Sequence, residues 1–82
     1  MITPGSLVTL LVGYDYDYRC CMTQYPGMRT EDNLGVGFLH ASDIALVINV
    51  CQPRIPPEEV LILTSKNTLG WVWSKNVRTV QR

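Results

Sequence analysis

The C-terminal third of the chain constrains the fold more than any other stretch, because its apolar runs are short and regularly interrupted. Strand-forming runs at 60–64, 70–73 and 77–80 are separated by polar breaks at 65–68 and 74–76. Asn67 in the first break adopts a left-handed backbone at little cost, which favours a hairpin turn. The second break predicts a single helical or 3-10 turn. This order of elements predicts a small β-barrel.

The rest of the chain also favours strands. Residues 6–12 and 44–51 are apolar, β-branched runs of strand length. Between them, residues 19–42 lose all periodicity, and the Gly-Val-Gly run at 35–37 is typical of a loop. No segment repeats at the 3.6-residue period of a helix. We therefore expect one all-β domain over residues 1–82, with five or six short strands and one long loop at about residues 19–42.

The strand candidate at 44–51 is apolar on both faces. Its alternating side chains are Ile44, Leu46, Ile48 and Val50 on one side, and Ala45, Val47 and Cys51 on the other. A small barrel has only one interior, so its outer face is ordinarily polar. Something must therefore cover the outer face, and either the long loop or a partner would do so.

The charge composition argues against nucleic acid and membranes as partners. Seven Lys and Arg balance seven Asp and Glu, and the basic residues are spread thinly instead of lining one face. No apolar run approaches the roughly 20 residues of a membrane-spanning helix, and the first residues lack a signal-peptide pattern. Three cysteines, an odd number, favour reduced thiols. We expect the chain to stay in the cytoplasm of the cell that makes it.

Residues that could carry metal or catalytic chemistry are few and scattered. The weak candidates for a metal site are Cys20, Cys21, His40 and Cys51. Adjacent cysteines of an extended chain point apart, and the other two candidates stand alone, which does not fit the spacing of zinc ligands. His40 has no nucleophile motif beside it, and the Glu58-Glu59 pair next to a turn is expected to be solvated. We expect no enzyme activity, no cofactor and no metal.

The aromatic residues are the better candidates for a contact surface. Trp71 and Trp73 alternate with Val72, so both indoles point outward if Val72 enters the interior. The other aromatic candidates, which share one face of an alternating run, are Tyr14, Tyr16 and Tyr18. Outward Trp and Tyr are typical anchors of protein interfaces. We predict that these five aromatic residues contact a ligand or partner; the alternative is that the long loop packs on the tryptophans.

Three segments of the chain resemble the Src-homology-3-like small barrels. Residues 4–10 match the usual opening of the prokaryotic and viral members, residues 43–50 their second strand, and residues 59–80 their tryptophan-containing finish. In particular, the chain resembles short barrel proteins of tailed bacteriophages, many of which have no assigned role. The resemblance implies a barrel fold and a phage-encoded protein, found in the host cytoplasm or as a virion component. It implies little about function, because such folds host many functions.

Other segments resemble the eukaryotic peptide-binding members of that group, which bind polyproline on an aromatic shelf. The similar stretches are residues 14–16, 29–34 and 70–77. However, Trp73 stands where the motif has proline, and Asn76 stands where it has tyrosine. The paired tryptophans of those relatives are also missing. The resemblance therefore argues against polyproline as the ligand.

From the sequence we predict a non-enzymatic protein-interaction or assembly module that contacts a protein partner or a second copy of itself. The first alternative is a peptide-binding module that uses the Tyr14–Tyr18 segment and Trp73 as a groove. A further alternative is a nucleic-acid-associated small barrel, whose binding would be sensitive to salt.

Overall fold

Seven short β-strands make up the regular structure of the computed structural model, which describes residues 2–11, 19–27, 34–52 and 58–80. The strands are β1 (Leu7–Leu10), β2 (Arg19–Thr23), β3 (Gly35–His40), β4 (Ile44–Cys51), β5 (Glu59–Thr64), β6 (Leu69–Trp73) and β7 (Val77–Thr79). A 3-10 turn (Ser74–Asn76) joins β6 to β7. The predicted all-β class is confirmed. In the described ranges, no helix is long and apolar enough to cross a membrane.

All seven strands pair in one antiparallel sheet with the order β3-β2-β6-β5-β4-β1-β7. The sheet is open, with β3 and β7 as its edges, so the predicted closed barrel is not confirmed. A flat single sheet would be a slab about 10 Å thick, whereas the molecule measures 33 × 25 × 25 Å. The sheet therefore curls, which gives it a concave and a convex face.

The concave face holds the hydrophobic core. The core consists of ten buried apolar side chains, and every strand contributes at least one of them. They are Val8, Leu10, Met22, Leu39, Ala45, Val47, Val60, Ile62, Val72 and Val77. Inward positions alternate along each strand because successive side chains of a strand point to opposite faces. Each fully buried aliphatic side chain stabilises the fold by roughly 1.5–3 kcal/mol. The core thus fixes which residues remain on the convex face.

The prediction of a long loop at residues 19–42 is wrong, because two strands, β2 and β3, lie within that segment. They form an antiparallel pair that extends the sheet beyond β6, raising the strand count to seven. The glycines of β3 mark close packing instead of a loop. A Cβ on Gly35 would lie 2.8 Å from the Cys21 Sγ, and one on Gly37 would lie 2.7 Å from the Thr68 Cγ2.

A β-bulge in β4 changes the alternation expected from the sequence. The register to β5 shifts between Val47 and Asn49, so one extra residue inverts the faces of the residues that follow. Val50 consequently packs against the core, although it was predicted to share a face with Ile44. Cys51, predicted to lie on the other face, is the direct partner of Glu59 instead.

The convex face carries an apolar row that crosses four strands. Leu7, Leu46, Leu63 and Leu69 are direct partners across β1, β4, β5 and β6, and we call them the leucine row. Leu46 is 37% exposed and Leu69 is 50% exposed. The strands β2 and β3 pair at the edge of the sheet and do not lie over β4. The described part of the predicted loop therefore does not cover this face.

Candidate tryptophan cleft

A cleft opens where β2 separates from β6. The two strands share one register pair in the described chain, Thr23 with Trp71, and the residues of β2 before Thr23 have no register partner at the C-terminal end of β6. The opening has a volume of about 430 Å³. We call it the tryptophan cleft; its walls are Cys20, Cys21, Thr23, Gly27, Glu59, Trp71, Val72, Trp73 and Asn76. A space of this size accommodates a side chain or a short extended segment.

The two tryptophans form the apolar side of the cleft. Val72 is buried in the core at 2% exposure, so Trp71 and Trp73 lie on the opposite face, as the alternation predicts. Trp71 is partly buried because Thr23 and Leu61 are its partners on the two neighbouring strands. Trp73 is 43% exposed at the rim. The larger part of the available indole surface thus belongs to Trp73.

Glu59 places a carboxylate in this apolar setting. It is the direct cross-strand partner of Trp73 on β5 and is only 5% exposed. The Gly27 backbone N–H donates a hydrogen bond of 2.5 Å to the Glu59 Oε2. Burial raises the pKa of this carboxyl above its usual range, and the hydrogen bond from Gly27 offsets part of that rise. The prediction that Glu59 is solvated is therefore wrong.

Residues of the 3-10 turn close the other side of the cleft. The Lys75 ammonium lies over the Trp73 ring, with its nitrogen 4.5 Å from the ring centroid. The Asn76 side-chain amide donates to the Cys20 Sγ at 3.7 Å, which ties the turn to β2. The turn therefore sets both the width of the cleft and the surroundings of the Trp73 indole.

The remaining candidate residues are not brought together. Tyr14, Tyr16 and Tyr18 lie outside the described residues. Cys20 packs against the core, and Cys51 lies at the end of β4, separated from β2 by β5 and β6. His40 ends β3 beside Phe38, with the ring centroids 6.4 Å apart. In the part of the chain that the structure describes, no three His, Cys, Asp or Glu residues are grouped as metal ligands.

Asp43, the acidic residue near His40, stabilises the turn between β3 and β4. The His40 backbone N–H donates to the Asp43 Oδ2 at 3.0 Å, and the Asp43 N–H donates to the His40 carbonyl at the same distance. The Asp43 carbonyl also accepts the Thr9 hydroxyl at 2.9 Å. Asp43 thereby fastens the corner between β3 and β4 and engages the backbone of His40, not its imidazole.

Sequence reasoning missed Glu59 and the cleft itself. The period of two would have placed Glu59 opposite Val60 and therefore on the face of Trp73, but the adjacent Glu58 suggested a polar turn. Comparison with known proteins finds no matching family model, no matching curated protein and no matching solved structure. The resemblances to Src-homology-3-like barrels and to phage proteins therefore stay predictions.

Proposed function

We propose that this protein is a non-enzymatic protein-interaction module that binds an extended segment of a partner in the tryptophan cleft. The observation that carries the proposal is the position of Trp73, which is 43% exposed at the rim of a cleft of about 430 Å³. Aromatic anchors beside a concave apolar site are the usual energetic centre of a protein interface. Thr23, Asn76 and Glu59 add the few polar groups that fix the orientation of a ligand.

The order of the strands supports a Src-homology-3-like arrangement for this module. The five strands β6-β5-β4-β1-β7 are consecutive neighbours, and the 3-10 turn between β6 and β7 stands at the cleft. The strand β2 and Gly27 beyond it form the facing wall. This geometry favours the peptide-binding form of the prediction, with Trp73 in the contact. Polyproline is not the proposed ligand, since Trp73 and Asn76 replace the proline and tyrosine of that motif.

Selection of peptides from a random display library tests the proposal. We expect the wild-type protein to enrich a consensus sequence, and Trp73→Ala to lose binding of the enriched peptides by at least about tenfold, because a buried aromatic anchor is worth about 2 kcal/mol or more. Leu69→Ala is the matched control, since Leu69 is equally exposed on the same strand but outside the cleft. No enrichment, or equal binding by folded Trp73→Ala, contradicts the proposal.

The leucine row supports a second candidate function, assembly with another copy of this chain. Its four leucines are direct cross-strand neighbours, and Ile44 beside them is 47% exposed. A twofold axis along the row would bring the same uncharged side chains of two copies together, as two sheets pack face to face about 10 Å apart. The partner in this candidate is the chain itself.

A further inference from the structure

Glu59 lines the tryptophan cleft, and one of its carboxylate oxygens has no hydrogen-bond partner among the described residues. Its Oε2 accepts the Gly27 N–H. Within the described residues, no fully buried side-chain oxygen or nitrogen lacks a hydrogen-bond partner. The Oε1, for which the described groups supply no partner, therefore keeps some accessible surface, and Glu59 is one of the residues that line the cleft. Glu59 as a whole is nevertheless only 5% exposed, so a group that enters the cleft meets a largely desolvated carboxylate.

The surroundings of Glu59 disfavour its negative charge on balance. No Lys, Arg or His among the described residues lies within ion-pair distance of this carboxylate, and burial disfavours its charged form. The oxygen of a glutamine amide also accepts the hydrogen bond from Gly27, although a neutral acceptor makes it weaker. A buried charge without a partner is costly. A cationic group that enters the cleft would supply a partner that the described residues do not.

The neighbour of Glu59 is a ring that already holds a cation. Trp73 is the direct partner of Glu59, a relation that places their Cβ atoms about 4.5–5.5 Å apart. The Lys75 ammonium lies 4.5 Å from the centroid of this ring. Ammonium and guanidinium groups are attracted to the face of an indole, and more strongly when water is excluded. A carboxylate and a cation-binding ring are thus side by side in one cleft.

We propose that the tryptophan cleft is selective for a basic side chain, lysine or arginine, of the bound partner. The cationic head pairs with the Glu59 Oε1, and its aliphatic stem lies against Trp71 and Trp73. The inference rests on the proposed function, because it names the chemistry of the segment that the cleft takes. Long basic side chains fit such a site, since they combine an apolar stem with a charged head.

Lys75 is the internal competitor for the incoming cation. It is exposed on the 3-10 turn, and the carboxylate of Glu59 lies outside ion-pair distance of its ammonium. An incoming basic side chain displaces Lys75 from the indole and moves it into solvent. This displacement weakens binding because a cation–π contact at an exposed site is lost. Lys75→Gln therefore strengthens binding of a basic group, which is the opposite of the effect expected for Glu59→Gln.

The test uses two small probes that share a four-carbon side chain and differ in the terminal ammonium group, Nα-acetyl-lysine amide and Nα-acetyl-norleucine amide, titrated into ¹⁵N-labelled protein. We expect the lysine probe to shift the Trp73 indole and Gly27 amide signals with a Kd of about 1 mM, corresponding to roughly 4 kcal/mol. The norleucine probe should bind at least about fivefold more weakly, which corresponds to roughly 1 kcal/mol. Glu59→Gln should lower the affinity for the lysine probe to that for the norleucine probe. Lys75→Gln should raise the affinity for the lysine probe.

Any of three results overturns the inference. The two probes bind equally well, Glu59→Gln leaves the affinity for the lysine probe unchanged, or neither probe shifts the signals of the cleft residues. Thermal unfolding of each variant checks that the fold is retained. The peptide selection separates this failure from that of the proposed function. A consensus without a basic residue that still requires Trp73 leaves the interaction module standing and removes the basic-side-chain inference. Failure of both the selection and the probes removes both.

Discussion

Glu59 is a carboxylic acid buried in an apolar part of the sheet, which is unfavourable for its charged form. Desolvation raises the pKa of its carboxyl, and the Gly27 N–H lowers it by a smaller amount. The folded protein therefore binds this proton more tightly than the unfolded chain does. Stability linked to Glu59 is then greatest at acidic pH and is lost as the pH rises from the unfolded pKa through the folded one. Ionisation of the Glu59 side chain in the folded protein therefore destabilises the fold.

Replacement of this residue should consequently improve stability while harming binding. We expect Glu59→Gln to raise the free energy of unfolding at neutral pH, because the amide keeps the acceptor for Gly27 and removes the desolvated charge. Between pH 4 and 7, roughly the range above the usual carboxyl pKa, its stability should depend less on pH than that of the wild type. Urea unfolding across this range measures both effects. A loss of stability at neutral pH would show that the charge serves the fold.

At the scale of the element, the β2–β3 pair depends on two glycines that any sequence rule assigns to a loop. A Cβ on Gly37 would lie 2.7 Å from the Thr68 Cγ2, in the turn between β5 and β6. We expect Gly37→Ala to destabilise the protein by about 1–3 kcal/mol, the usual cost of overpacking. Thr68→Ser removes the opposing methyl group and should restore most of the loss in the double variant.

Chemical unfolding of the wild type, the two single variants and the double variant gives the coupling free energy between these positions. The Thr68 backbone N–H donates to the Thr64 hydroxyl, so the serine replacement leaves that contact intact. Additive effects of the two substitutions would mean that β3 does not approach the turn as closely as the structure shows.

The elements that the sequence predicts correctly are those with a regular apolar pattern. β5 and β6 follow a period of two, and Asn67 between them has the expected left-handed backbone, with φ 65°. β2 and β3 escape prediction because their glycines and adjacent cysteines are selected by contacts with distant strands. The tryptophan cleft could not be predicted either, because it lies between β2 and β6. These two strands are far apart in sequence and become neighbours only in the folded sheet.

At the scale of the molecule, the open sheet has apolar side chains on both faces, and no described strand packs over its convex face. The concave face encloses the core, whereas Ile44, Leu46, Ile48 and Leu69 remain 37–50% exposed on the convex side. Apolar patches on monomers measure about 300–600 Å², and a standard interface buries roughly 800 Å² per partner. The leucine row and its rim therefore fit a weak, concentration-dependent dimer better than an obligate one.

Light scattering coupled to size exclusion tests this assembly directly. We expect the mass of the 9.3 kDa chain to rise toward that of a dimer as the concentration increases. Leu46→Lys should keep it monomeric at every concentration, because a charge in the centre of the row must be desolvated on contact. Leu34→Lys is the matched control, since Leu34 is 63% exposed but lies outside the row. A wild type that stays monomeric throughout, or a folded Leu46→Lys variant that still dimerises, contradicts assembly through this face and leaves the tryptophan cleft as the contact surface.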